Sequence, residues 1–78
     1  MIDYLNLKNS YIATIQMGLM LNTSYEDVKH GNDFLHQFCK SCVENSSYSE
    51  NDKQNMKYDL EFVKEALAQE IEKYYHSN

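Results

Sequence analysis

Between Ser49 and Tyr75 apolar and polar positions alternate with the period of an α-helix. Met56, Leu60, Val63, Leu67, Ile71 and Tyr74 recur at steps of four, three, four, four and three. That spacing lines one face of a helix. Lys57, Glu61, Glu65 and Glu72 fall on the opposite side. Ser49 with Asp52, or Ser47 with Glu50, has capping-box spacing at the start. Glu50 and Asp52 stand at the positive end of the helix, and Lys73 and His76 at the negative end, as the helix dipole prefers.

Two further helical stretches precede this one. Asp3 to Leu21 reads as the first, with Asp3 as its cap and Asn22 ending it in a left-handed turn. Leu5, Ile12, Ile15 and Leu19 form its stripe, flanked by Tyr4, Tyr11 and Gly18. Leu7, Met17 and Met20 widen the apolar arc, and Asn9-Ser10 is the expected point of irregularity. The second begins at Thr23-Ser24-Tyr25-Glu26-Asp27, where Thr23 pairs with Glu26 or Ser24 with Asp27 in capping-box spacing. Val28, Gly31, Leu35, Phe38 and Cys42 form its stripe, and Phe34 and Cys39 broaden it. Gly31-Asn32-Asp33 can end one helix and cap the next. The expectation is therefore one bent helix, or two short ones over Ser24 to His30 and Asp33 to Glu44. Asn45 to Ser49 is the clearest loop. The expected fold is all-α, a small three-helix (possibly four-segment) antiparallel bundle with a long C-terminal helix, forming one domain over 1–78.

Length adds a geometric expectation. At 1.5 Å per residue the third helix is about 40 Å long and the first about 28 Å. A compact chain of this size has a radius of gyration of about 11 to 12 Å. The last turns of the third helix should then project beyond the first, while Leu67, Ile71, Tyr74 and Tyr75 keep its apolar face going. Burying such side chains is worth about 1.5 to 3 kcal/mol each, and exposed together they favour association. These four residues are therefore the expected dimer seam or partner contact, a homodimer being the simplest case. Leu67→Glu or Ile71→Glu should then cost assembly more than helix content. The alternative is that the middle segment breaks at Gly31 and folds over the end.

Composition supports helices, since there is no proline and glycine occurs twice. A chain of 78 residues buries only about 60% of its unfolded surface, so its stability is marginal unless something adds to it. The formal net charge is −5, and lysine supplies all seven positive charges. Affinity for phosphates rests on Lys and Arg, so direct nucleic-acid binding is not expected. Twelve acids diluted by seven lysines are also too few for a DNA mimic. A basic protein surface is the more natural counterpart, and Glu61, Glu65, Glu70 and Glu72 form the candidate acidic surface. The start MIDYLNLKNS lacks the basic region of a signal peptide. The run from Tyr11 to Leu21 is about half a membrane span. The expected setting is cytoplasmic, with reduced thiols and no membrane partner.

Candidate chemistry is sparse. His36, Cys39 and Cys42 recur at helical steps of three, and zinc takes such ligands. His30, His76 or a second chain would have to complete the set. Steps of three also spread the side chains over about 120°, and buried cysteine is commonly a small apolar filler. A redox CxxC prefers a helix N-terminus, whereas this one is mid-helix. No glycine-rich phosphate loop, HExxH motif or nucleophile elbow is present, so neither an enzyme nor a cofactor is expected. Seven tyrosines exceed what a core needs and suit an interface.

The expected function is a small acidic protein-binding inhibitor or antagonist. Its size, its acidity and an Asn-, Tyr- and Lys-rich composition typical of AT-rich coding fit a phage or mobile element. An anti-defence protein, such as a CRISPR inhibitor blocking a basic nucleic-acid-binding effector, is one form. An immunity protein or antitoxin facing a basic toxin is another. The alternative from a different class is a metal- or thiol-dependent regulator using His36, Cys39 and Cys42.

Overall fold

The computed structural model describes residues 3–76. They form three helices, with no strand among the described residues: α1 (Tyr4–Met20), α2 (Tyr25–Glu44) and α3 (Glu50–His76). Each begins at a side-chain cap. Asp3 accepts from the amides of Leu5 and Asn6, Ser24 from that of Asp27, and Ser49 from that of Asp52. Asn22, at φ 58°, makes the left-handed turn between α1 and α2. Asparagine tolerates that conformation better than other side-chain-bearing residues.

α1 and α3 run parallel, and α2 runs back between them. The Tyr4 hydroxyl reaches the Met56 carbonyl and Asp59 at the start of α3. At the other end the Tyr75 hydroxyl donates to the Thr23 carbonyl in the α1–α2 turn. The molecule is elongated, at 44 × 18 × 16 Å with a radius of gyration of 13.3 Å, above the value for a compact chain. α3 sets the long dimension.

Of the two forms expected for the middle segment the structure has the single helix, and α2 runs continuously through Gly31. Asn32 and Asp33 do not cap a new start, because tertiary contacts with Tyr11 and Lys64 use their side chains. α1 likewise runs without irregularity through Asn9 and Ser10. The expected overhang is corrected as well. α1 starts opposite Met56 and Asp59, so the turns of α3 left uncovered are the first ones, Glu50 to Asn55. Those residues are polar and need no cover. The C-terminal half lies under the other helices, and Leu67 and Ile71 are only 4% and 2% exposed.

The core holds Tyr4, Tyr11, Ile15 and Leu19 from α1, Val28, Cys39 and Val43 from α2, and Leu60, Leu67 and Ile71 from α3. Its register differs from the expected stripes. In α1 the two tyrosines point inward and Leu5 outward. In α2 polar Asn32 and His36 are buried, whereas Phe34 and Phe38 face solvent. Asn32 is tolerated because its hydrogen bonds are made. It accepts from the Tyr11 hydroxyl of α1 and donates to the Lys64 carbonyl of α3 at 3.2 Å. A buried polar group costs little when so satisfied.

Candidate protein-binding face

Opposite its buried stripe, α3 carries Tyr58 and Phe62 one turn apart, 68% and 75% exposed. With Glu61 and Glu65 they wall a shallow depression of about 220 Å³. A neighbouring depression of about 220 Å³ takes Tyr58 and Glu61 as well, together with Gln54, Lys57 and Lys40. Two large rings in water, edged by carboxylates, present apolar area and negative charge on one rigid helix.

The lysines around this face are largely tied into pairs between helices. Lys57 pairs with Glu44, Lys64 with Asp33 at 3.4 Å, Lys40 with Glu61 at 3.6 Å, and Lys8 with Asp59 at 2.9 Å. The first two and the last use acids that lie off the aromatic face. Glu65 has no lysine partner among the described residues, so the face keeps a negative edge. Lys57 holds the Glu44 carboxyl below the usual range, chiefly through its hydrogen bond.

The expected acidic set is partly brought together. Glu61, Glu65 and Glu72 lie on one side of α3, spaced by four and seven residues. Glu70 is exposed but turned roughly 160° from Glu72, two positions away. Glu72 accepts from the Tyr25 hydroxyl, which that bond pushes up from its ordinary pKa. The expected apolar seam is not available to a partner. Leu67 and Ile71 are core, and Tyr75 packs edge-on to Tyr25 at 5.6 Å. Tyr74 alone of the four is exposed.

His36, Cys39 and Cys42 are not gathered round one point. Among the described residues no three His, Cys, Asp or Glu side chains are placed to hold an ion. His36 faces α3 and Cys39 lines a cleft with Tyr11 of α1, while Cys42 is half-buried farther round the helix. The steps of three fan them apart rather than gathering them. Burial pushes the Cys39 thiol up to about 11, which makes it a poor nucleophile. His36 is 2% exposed, and neither ring nitrogen makes a hydrogen bond. Its Nε2 lies 3.1 Å from Glu61 Oε1. Burial lowers its pKa against the opposing pull of Glu61.

Sequence reasoning passed over Tyr58 and Phe62. Their signal was present: an i, i+4 aromatic pair about 180° from the Leu60–Leu67 stripe, where a solvated helix carries polar residues. Comparison with family models, curated proteins and solved structures returns no match.

Proposed function

We propose that this chain is a protein-binding antagonist that docks the outer face of α3 onto a basic surface of a partner protein. The observation that carries this reading is the exposure of Tyr58 and Phe62 beside Glu61 and Glu65. Aromatic anchors dominate protein interfaces, and a carboxylate rim selects lysine- and arginine-rich partners and speeds encounter. The partner class is a nucleic-acid-binding effector or a toxin, whose function requires a basic surface. Blocking that surface inhibits it, as an anti-defence protein of a phage, an immunity protein or an antitoxin would. Such partners are cytoplasmic.

The test is affinity capture from host lysate with the wild-type chain and with Tyr58→Ala/Phe62→Ala. The expected result is one stoichiometric basic protein, held at low salt, weakened at high salt and lost with the double variant. Capture that survives the double variant, or an acidic partner, would refute the reading.

A further inference from the structure

Lysines of this chain already sit where a tyrosine ring meets a carboxylate. Lys8 Nζ lies 5.6 Å from the centre of the Tyr4 ring and 2.9 Å from Asp59 Oδ2. Lys29 Nζ lies 5.4 Å from the centre of the Tyr25 ring, whose hydroxyl donates to Glu72. A ring face attracts a cation through its quadrupole, and the carboxylate adds direct charge. The outer face of α3 has the same components without the cation. Tyr58 and Phe62 are exposed, and Glu61 and Glu65 line the depression beside them. Among the described residues no lysine lines this depression or lies over either ring. The depression on the other side of Tyr58 and Glu61 is already lined by Lys40 and Lys57. Glu61 shares Oε1 with His36 at 3.1 Å and Lys40 at 3.6 Å. Glu65 is exposed and unpaired with lysine, so its charge is the one this site leaves unmatched.

We infer that the depression walled by Tyr58, Phe62, Glu61 and Glu65 receives one arginine side chain of the partner protein. The partner is the one docked on α3 in the proposed function, and the inference rests on that reading. Charge and shape together select arginine. An apolar side chain would strip water from Glu65 without supplying a counter-charge. A lysine ammonium is compact and strongly hydrated, so it gains less from an open ring face. A guanidinium is planar and weakly hydrated, and it stacks on a ring while its fork meets a carboxylate. A cage for methylated lysine encloses the cation with aromatic rings, whereas both rings here stand on one helix. Tyr58, Phe62 and Glu65 span about 10 Å along α3, at 1.5 Å per residue. An extended arginine laid along them puts its apolar stem against Tyr58, its guanidinium over Phe62 and its fork on Glu65.

Nitrogen-15 NMR titration of the full chain tests the proposal, with a capped peptide of glycine and serine around a single arginine. Amide shifts should centre on Tyr58 to Glu65. The same peptide with lysine should bind roughly two- to five-fold more weakly, through loss of the stacked contact. With neutral citrulline the shifts should vanish. Glu65→Gln and Phe62→Ala should each weaken the arginine peptide by roughly two- to five-fold, with the far-ultraviolet circular dichroism unchanged. Glu70→Gln, which removes an equal charge elsewhere on α3, should leave its affinity intact. Equal binding of the lysine peptide, binding of the citrulline peptide, or shifts spread over all the exposed acids would each overturn the proposal. A captured basic partner that still binds this face after its surface arginines are replaced by lysine would also overturn it, while the docking reading stood. Binding of the arginine peptide at this site with no partner captured would support the arginine site and sink only the docking reading.

Discussion

The Tyr11 hydroxyl donates to the side-chain oxygen of Asn32 at the buried point where all three helices meet. The same asparagine donates through Nδ2 to the Lys64 carbonyl at 3.2 Å. One side chain of α2 thus fixes its axial position against both neighbours. Hydrocarbon contacts alone would allow α2 to slide or rotate, since they are non-directional.

Asn32→Ala should cost about 2 to 3 kcal/mol, because it leaves the Tyr11 hydroxyl without its side-chain partner and opens a cavity. Tyr11→Phe should cost about 1 kcal/mol. The double variant Tyr11→Phe/Asn32→Leu should cost less than the sum, because no partner is then left unpaired. Urea midpoints at constant slope measure all three. Strict additivity would mean that the pair is not coupled.

His36 makes stability depend on pH in a definite direction. Its folded pKa is lowered, by burial first, against the attraction of Glu61 and alongside the repulsion of Lys64 and Lys40. The unfolded chain therefore takes up the proton more readily. Stability is full above the unfolded value of about 6.5 and declines as pH falls below it, by at most about 1.4 kcal/mol per pH unit. Denaturant titrations from pH 7.5 to 5 should show that slope. His36→Met should flatten it over this interval, in which Asp59 and Glu44, both lowered from ordinary carboxylate values, remain ionised.

Leu67 and Phe62 should respond oppositely to the same substitution. Leu67→Glu buries a carboxylate in the core, and at a stability of only several kcal/mol that should unfold the chain. Phe62→Glu replaces an exposed ring and should change stability by less than about 0.5 kcal/mol. Thermal melts followed by circular dichroism separate the two. A folded Leu67→Glu chain would contradict the core described above.

The helices, their caps and the loop were legible because each has a local cause: apolar period, side-chain oxygens at the starts, and a run of small polar residues. The rotation of each helix was not. Tyr4 and Tyr11 look like flanks to a sorting by hydrophobicity, yet their hydroxyls meet Asp59 and Asn32 and their rings fill the core. Phe34 and Phe38 look like core, yet Asn32 and His36 take the inward positions two residues away. For Tyr4, Tyr11 and Asn32, polar pairing over sequence distances of 21 to 55 residues decides which side faces inward, and no periodicity carries that information. The overhang was misplaced for a related reason. Helix lengths follow from local pattern, but the stagger between helices does not.

That stagger is held by Asp59. It accepts from the Tyr4 hydroxyl at 2.7 Å and from Lys8 Nζ at 2.9 Å, tying the first turns of α1 to the second turn of α3's apolar stripe. Hydrogen bonds from Lys8 and Tyr4, in that order, lower its pKa. A depressed carboxylate contributes stability above its unfolded pKa, and the contribution is lost as pH falls through the folded value. Asp59→Ala should therefore cost about 1 to 2 kcal/mol at neutral pH, and less as pH falls through the lowered folded value and the carboxylate takes up its proton. The loss should also be local. Amide exchange in Asp59→Ala should quicken in the first turns of α1, around Leu7 to Ser10, while Leu67 and Ile71 amides keep their protection, because the α2–α3 contacts there are untouched. Uniform acceleration across all three helices would show that Asp59 supports the whole bundle rather than the register of α1.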